Sequence, residues 1–180
     1  VYICKYFGLY EVAEYWHQVI KINDYQKLRF ARKIINGLNG VVNNKKISIL
    51  GWAFKKDTND TRESAAIYVS DKLLDEGAEI HVYDPMVNKN RVINDLLTLW
   101  NYEEVEKSKI KKKLKRIKVH SNHIDCINNS SAIAILTEWE EFNSYNWDQI
   151  KKDILKPIRI YDGRNILKNK DLDINYIGKG

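Results

Sequence analysis

From Lys45 onward the chain alternates short, β-branched apolar runs with amphipathic stretches, and this pattern limits the possible folds more than any other feature of the sequence. "KKISILG" at 45–51 has the near-continuous hydrophobicity of a strand buried on both faces. "TRESAAIYVSDKLLDE" at 61–76 then carries apolar residues at helical spacing and is stopped by Gly77. "AEIHVYDP" at 78–85 predicts a second strand, "SAIAIL" at 131–136 a third and "IRIYDG" at 158–163 a fourth. A helix around "YNWDQIKKDILK" (145–156) separates the third from the fourth, and "DINYIG" near the end predicts a last strand. The β-α-β order predicts an α/β fold: a Rossmann-like doubly wound parallel sheet.

A long helix is expected ahead of that sheet. Residues 11 to about 38 place Val12, Trp16, Val19, Ile20, Leu28, Ala31, Ile34 and Ile35 near a 3.6-residue period, with an interruption expected around "NDY" and a stop at Gly37 and Gly40. Such a helix is expected to serve as a connector or docking surface. The chain thus divides into a helical region at 1–40 and an α/β domain at 41–180. Within the second part, 86–119 reads as a variable excursion: a helix around "RVINDLLTLW", then a charged stretch.

Composition enters where function classes must be excluded. Cys4 and Cys126 are too few and too far apart for a disulfide framework, and neither lies in a CxxC pair, so a reducing, cytoplasmic setting is expected and a zinc site is not. No apolar run approaches the ~18 residues of a membrane span, and the start lacks the pattern of a signal peptide. The first residue is not Met and the opening residues read as the interior of an element, so a fragment is expected. The net charge of +6 is local, because "KSKIKKKLKRIK" at 107–118 holds eight of the 30 basic residues and none of the 24 acidic ones. That run could hold phosphates, but no aromatic residues are interleaved in it for stacking, and a solvated face is expected rather than nucleic-acid binding.

The most unusual residues follow the predicted strands: "FKKDT", "YDP", "TEWEEF" and "DGR". In doubly wound sheets that rim is where ligands bind. With Asp60 as N-cap, Thr61, Arg62 and Glu63 open the next helix, and Glu63 closes a capping box. Arg62, Lys55 and Lys56 would then add positive charge to an already positive helix end, the composition of an anion site and most often a phosphate site. Alternatively, Asp57, Asp60 and Glu63 neutralise them in a surface network. Asp84 is a candidate ribose-binding acid, though "YDP" more simply opens a turn. "HSNHIDC" sets His120 and His123 three apart beside Asp125, a weak outline of a metal site.

Taken together, "ILGWAFKKDTNDTRES", "DEGAEIHVYDP", "LTEWEEF", "YDGRN" and "EVAEYWHQVIKINDYQ" resemble the carboxy-terminal part of the UDP-glucose 6-dehydrogenase family, in its eukaryotic type. The similarity runs through nearly the whole chain in the family's order and is weakest at 86–119. It implies an enzyme that oxidises UDP-glucose to UDP-glucuronate with two NAD+ through a thioester on a cysteine. This chain would supply the end of the central helical region and the UDP-binding domain. By the same resemblance Phe54, Lys55 and Arg164 contact the nucleotide sugar, Arg62 reaches NAD, no metal is needed, and the whole protein forms a homo-oligomer; composition adds the expectation of no nucleic-acid or membrane partner. Phe54, taken without the resemblance, reads as a core aromatic.

Departures from the family pattern bound what is expected of this chain. It has neither the glycine-rich stretch around the family's nucleophile nor a GxGxxG fingerprint. Neither cysteine inherits a catalytic role, and NAD would be held mainly by an amino-terminal domain. Trp52 stands where another aromatic such as Phe is expected. A related dehydrogenase of GDP-mannose or UDP-amino sugars, or a non-enzymatic basic binding module, are the alternatives.

Overall fold

The computed structural model describes residues 1–153, 159–168 and 175–178. Six parallel strands form one sheet: β1 (Lys46–Leu50), β2 (Glu79–Tyr83), β3 (Ile117–Val119), β4 (Ala132–Ile135), β5 (Arg159–Asp162) and β6 (Asn175–Gly178). Their order is β3-β2-β1-β4-β5-β6, so the chain reverses direction of winding between β1 and β4. The doubly wound parallel sheet expected from the sequence is therefore present. Residues 154–158, 169–174 and 179–180, which include the end of the helix expected to 156 and the starts of the last two expected strands, lie outside the described residues.

Apolar burial on both faces explains why these runs form inner strands. Ile47, Ile49, Leu50, Ile80, Val82, Ile133, Ala134 and Ile135 are fully buried. The one polar residue inside β1, Ser48, is satisfied by the Cys126 carbonyl at 2.6 Å, which removes the penalty for burying a hydroxyl there.

The first helices are α1 (Tyr2–Tyr6) and α2 (Tyr10–Gly37). No interruption occurs at "NDY": α2 is continuous, as expected physically where neither Pro nor Gly enters its interior. Its carboxy-terminal half packs Ala31 and Ile34 into the core, while its amino-terminal half leaves Tyr15 and Trp16 exposed. Gly37 permits the close approach that ends it, because a Cβ there would collide with the Tyr161 hydroxyl.

Residues 86–119 are ordered into α4 (Lys89–Tyr102), α5 (Lys107–Leu114) and β3. The preceding helix, α3 (Ala65–Asp75), supplies their anchor. Asp71 accepts from the Trp100 indole at 2.6 Å and from Lys113 at 2.6 Å, and Asp75 accepts Lys113 at 2.7 Å. What reads in the sequence as a charged excursion thus delivers the edge strand of the sheet. The remaining helices, α6 (His123–Ile127), α7 (Glu140–Ser144) and α8 (Trp147–Asp153), complete the layers.

Candidate functional site

The crevice beyond β1 and β4 is built by loops that grip one another. Gly51 leaves β1 with φ +92, and a Cβ there would sit 2.6 Å from Thr137 Oγ1 and 2.7 Å from the Thr137 backbone nitrogen. Only glycine allows the two loops to meet. Thr137 Oγ1 then donates to the Ala53 carbonyl at 2.6 Å. Beneath them lies Asp84, 7% exposed, immediately after β2. Its Oδ2 accepts from Trp52 N (2.6 Å), Ala53 N (3.0 Å) and Trp139 Nε1 (3.0 Å), and its Oδ1 from Met86 N (2.8 Å) and Val87 N (2.9 Å). Trp52, the departure from the family pattern, is fully buried and donates its indole N–H to Asp95 at 3.0 Å.

The loop emerges at Phe54, which is 48% exposed, so the core reading of that aromatic fails. A cleft of about 550 Å³ opens beside it, walled on one side by Phe54, Leu136, Gly163 and Arg164 and on the other by α2. Arg164 ties the rim together: Nε donates to the Leu136 carbonyl (2.8 Å), Nη2 to the Phe54 carbonyl (2.9 Å), and Glu138 pairs with it at 3.2 Å. Phe54 and Arg164, far apart in sequence, therefore meet in one cleft.

Across the mouth, Glu63 sits at φ +56, an uncommon conformation for a non-glycine residue. It is held by the Tyr68 hydroxyl at 2.9 Å and by Lys27 at 3.2 Å, whose ammonium also lies 3.8 Å from the Tyr68 ring centre. Burial, then the hydrogen bond to Glu63, pushes the Tyr68 pKa well up, so this hydroxyl stays a donor.

The expected cationic helix start is not formed. The N-cap is Ser64, whose side chain accepts from Ala66 N, and the helix begins at Ala65 rather than Thr61. Asp60 instead closes a local turn onto Arg62 N (3.0 Å) and an ion pair with the Arg62 guanidinium (2.7 Å). Those bonds hold the Asp60 carboxyl far below its usual range. Arg62 is thus outside the first turn, with a side chain 83% exposed, and Glu63 is no capping-box partner. Lys55, next to Phe54, is exposed, makes no hydrogen bond or ion pair with any described residue, and does not line the cleft.

Sequence reasoning missed the α2 wall: Asn23, Lys27, Phe30 and Lys33 line the cleft. Their spacing of four, three and three residues puts them on one helical face, although nothing in the residues themselves marks that face as the wall of a cleft. The histidines form no metal site, and no group of three metal-binding side chains occurs among the described residues. His120 Nε2 and His81 Nδ1 share a hydrogen bond at 2.8 Å, and His123 stacks on Tyr145. Asp84, filled by N–H donors, is not available to a ribose. No described helix is long and apolar enough to cross a membrane.

A parallel sheet ordered β3-β2-β1-β4-β5-β6, with its cleft at the switch point, defines an α/β domain of the Rossmann type. Its first crossover loop lacks the dinucleotide fingerprint, which separates it from ordinary NAD-binding members of that class. Residues 48–169 match the family model described as the UDP binding domain of the UDP-glucose/GDP-mannose dehydrogenase family, and the chain belongs to that family. It is 43% identical over 178 residues to UDP-glucose 6-dehydrogenase of Gallus gallus, covering 99% of this chain and 35% of that protein. With UDP-glucose 6-dehydrogenase of Drosophila melanogaster it shares 45% identity over 172 residues, 96% of this chain and 35% of the relative. The chain spans about a third of the length of these relatives. Among solved structures, a UDP-glucose dehydrogenase from Pyrobaculum islandicum superposes with TM-score 0.67 at 21% identity, over 98% of this chain and 34% of that one, a likeness of fold.

Proposed function

We propose that this chain binds the uridine diphosphate part of UDP-glucose within a protein that oxidises the sugar to UDP-glucuronate using two NAD+. The observation that carries this is the convergence of Phe54 and Arg164 on one cleft at the carboxyl ends of β1, β4 and β5. An aromatic face and a guanidinium suit a nucleotide bearing phosphates, since guanidinium groups donate in a fork that matches phosphate oxygens. Arg164 uses Nε and Nη2 on backbone carbonyls and pairs with Glu138, and its role in this proposal is to fix the rim against which the nucleotide lies. Lys55, exposed beside Phe54 but outside the cleft lining, would have to swing toward the ligand to supply its ammonium. Identity above 40% to UDP-glucose 6-dehydrogenases over nearly the whole chain supports UDP-glucose over GDP-mannose.

The described residues do not fit a site for NAD. There is no glycine-rich phosphate loop, and the acid after β2 is enclosed by N–H donors. NAD would be held mainly by an amino-terminal domain, with the exposed Arg62 as this chain's contact to it. Homo-oligomerisation of the whole protein and a cytoplasmic setting belong to the same proposal. Calorimetric titration of the chain with UDP and with GDP tests it. Saturable binding of UDP, at least tenfold tighter than GDP and weakened by Phe54→Ala, is expected; absence of heat with UDP, or equal affinity for GDP, overturns it.

A further inference from the structure

The carboxylate of Asp84 stands at the position where doubly wound domains commonly place a ligand-binding acid, one residue beyond the second strand. Here both oxygens are filled from within. Five N–H groups converge on them from three loops: Trp52 and Ala53 after β1, Met86 and Val87 after β2, and the Trp139 indole after β4. No described cation pairs with it, so its charge is balanced by oriented N–H dipoles, and each bond is of the stronger, charge-assisted kind.

The loop it holds is the one that carries Phe54. Asp84 fixes the N–H groups of Trp52 and Ala53, Thr137 and Arg164 fix the carbonyls of Ala53 and Phe54, and the Phe54 N–H is taken by the Asp60 carbonyl at 2.8 Å. Every backbone polar group from Ala53 to Phe54 is engaged. The backbone freedom of this turn is restricted before a ligand arrives, so the half-exposed Phe54 ring is presented from a fixed backbone and the ordering cost at binding is reduced. We infer that Asp84 is a positioning residue for nucleotide binding, acting through the backbone of Trp52 and Ala53 to hold Phe54 in the cleft.

This rests on the proposed function, because the effect is read as affinity for a uridine nucleotide. The Asp84→Asn variant keeps the size of the side chain but turns one acceptor oxygen into an NH2 donor facing other donors. Measured by calorimetry with UDP, its Kd rises by about tenfold, the scale set by losing charge-assisted hydrogen bonds around an unpaired group. The double variant with Phe54→Ala is the decisive measurement. If Asp84 acts through Phe54, Asp84→Asn adds less than twofold once the ring is gone, whereas a merely structural contribution leaves the two effects additive. Trp139→Phe removes a single donor, leaves the carboxylate in place, and carries the test if Asp84→Asn does not fold. It is expected to raise the Kd about threefold, again only when Phe54 is present.

Unchanged UDP affinity in folded Asp84→Asn, or in Trp139→Phe if only that variant folds, overturns the inference, as does full additivity with Phe54→Ala. Both of these leave the proposed function standing. No binding of UDP by the unaltered chain removes the proposed function, and the inference falls with it.

Discussion

Two regions of this molecule collect charge, and they use it in opposite ways. At the rim of β1, β2, β4 and β5, Asp84 and Arg164 are turned onto backbone groups, where they fix the shape of the loops after β1, β2 and β4. Along α5 and β3, Lys107, Lys109, Lys111, Lys112, Lys115 and Lys118 face solvent, and only Lys113 is buried. The basic run dominates the net charge, and yet none of its residues lines the cleft beside Phe54. Density of charge in a sequence therefore marks a region less reliably than the number of backbone groups its charges must satisfy.

The sharpest way to break this contrast is to force the rim loops apart. Gly51→Ala would place a Cβ against Thr137 in a backbone conformation that side chains avoid. Strain and overpacking together are expected to cost roughly 3 to 5 kcal/mol in urea unfolding. UDP binding by whatever fraction remains folded should also be lost. A cost below about 1 kcal/mol would mean that the loops part easily and that the rim is not a rigid frame.

A second test asks whether the basic edge is uniform. Lys113→Ala leaves Asp71 and Asp75 without their shared cation, one of them in a mostly buried setting. Loss of about 2 kcal/mol is expected, below the full penalty for a buried pair because Asp75 is half exposed. Lys111→Ala, on the solvent face of the same helix, should change stability by less than about 0.5 kcal/mol. Equal effects would erase the distinction between an anchor and a solvated run.

These regions also differ in how far their sequences can be read. The strand-helix alternation was legible because burial on both faces of a parallel sheet leaves continuous β-branched runs. The motifs at strand ends were legible because the topology gathers them on one rim. Lost from view were features set by tertiary contact. Asp60 reads as an N-cap by residue type, but its carboxylate is drawn to Arg62 and the helix starts four residues later, at Ala65 after the Ser64 cap. Lys113 is indistinguishable in sequence from its neighbours, and only the register of α5 against Asp71 singles it out. Residues 117–119 make too short a run to stand out, and pairing with β2 makes them a strand. The α2 wall of the cleft was hidden because polar residues on a long amphipathic helix read as solvent-facing.

The same edge of the sheet also holds a histidine pair between β2 and β3, where burial rather than the lysine run is the main influence. Burial first, then the positive field of Lys46, His120 and Lys118, drives the His81 pKa down to about 3. Burial, with Lys46 next, lowers that of His120 as well, despite Asp125 nearby. A base whose pKa is depressed by folding binds fewer protons in the native state than in the unfolded chain. Its stabilisation is therefore fully present above the unfolded value near pH 6.5 and is lost as pH falls toward about 3. For His81 alone the slope approaches about 1.4 kcal/mol per pH unit inside that window, so urea unfolding at pH 5.5 should show roughly 1 kcal/mol less stability than at pH 7, with His120 contributing in the same direction. His81→Asn keeps an acceptor toward His120 and removes the titration, so its pH profile should be flatter than that of the unaltered chain. Parallel profiles would show that burial at this edge of the sheet does not change the His81 titration on folding.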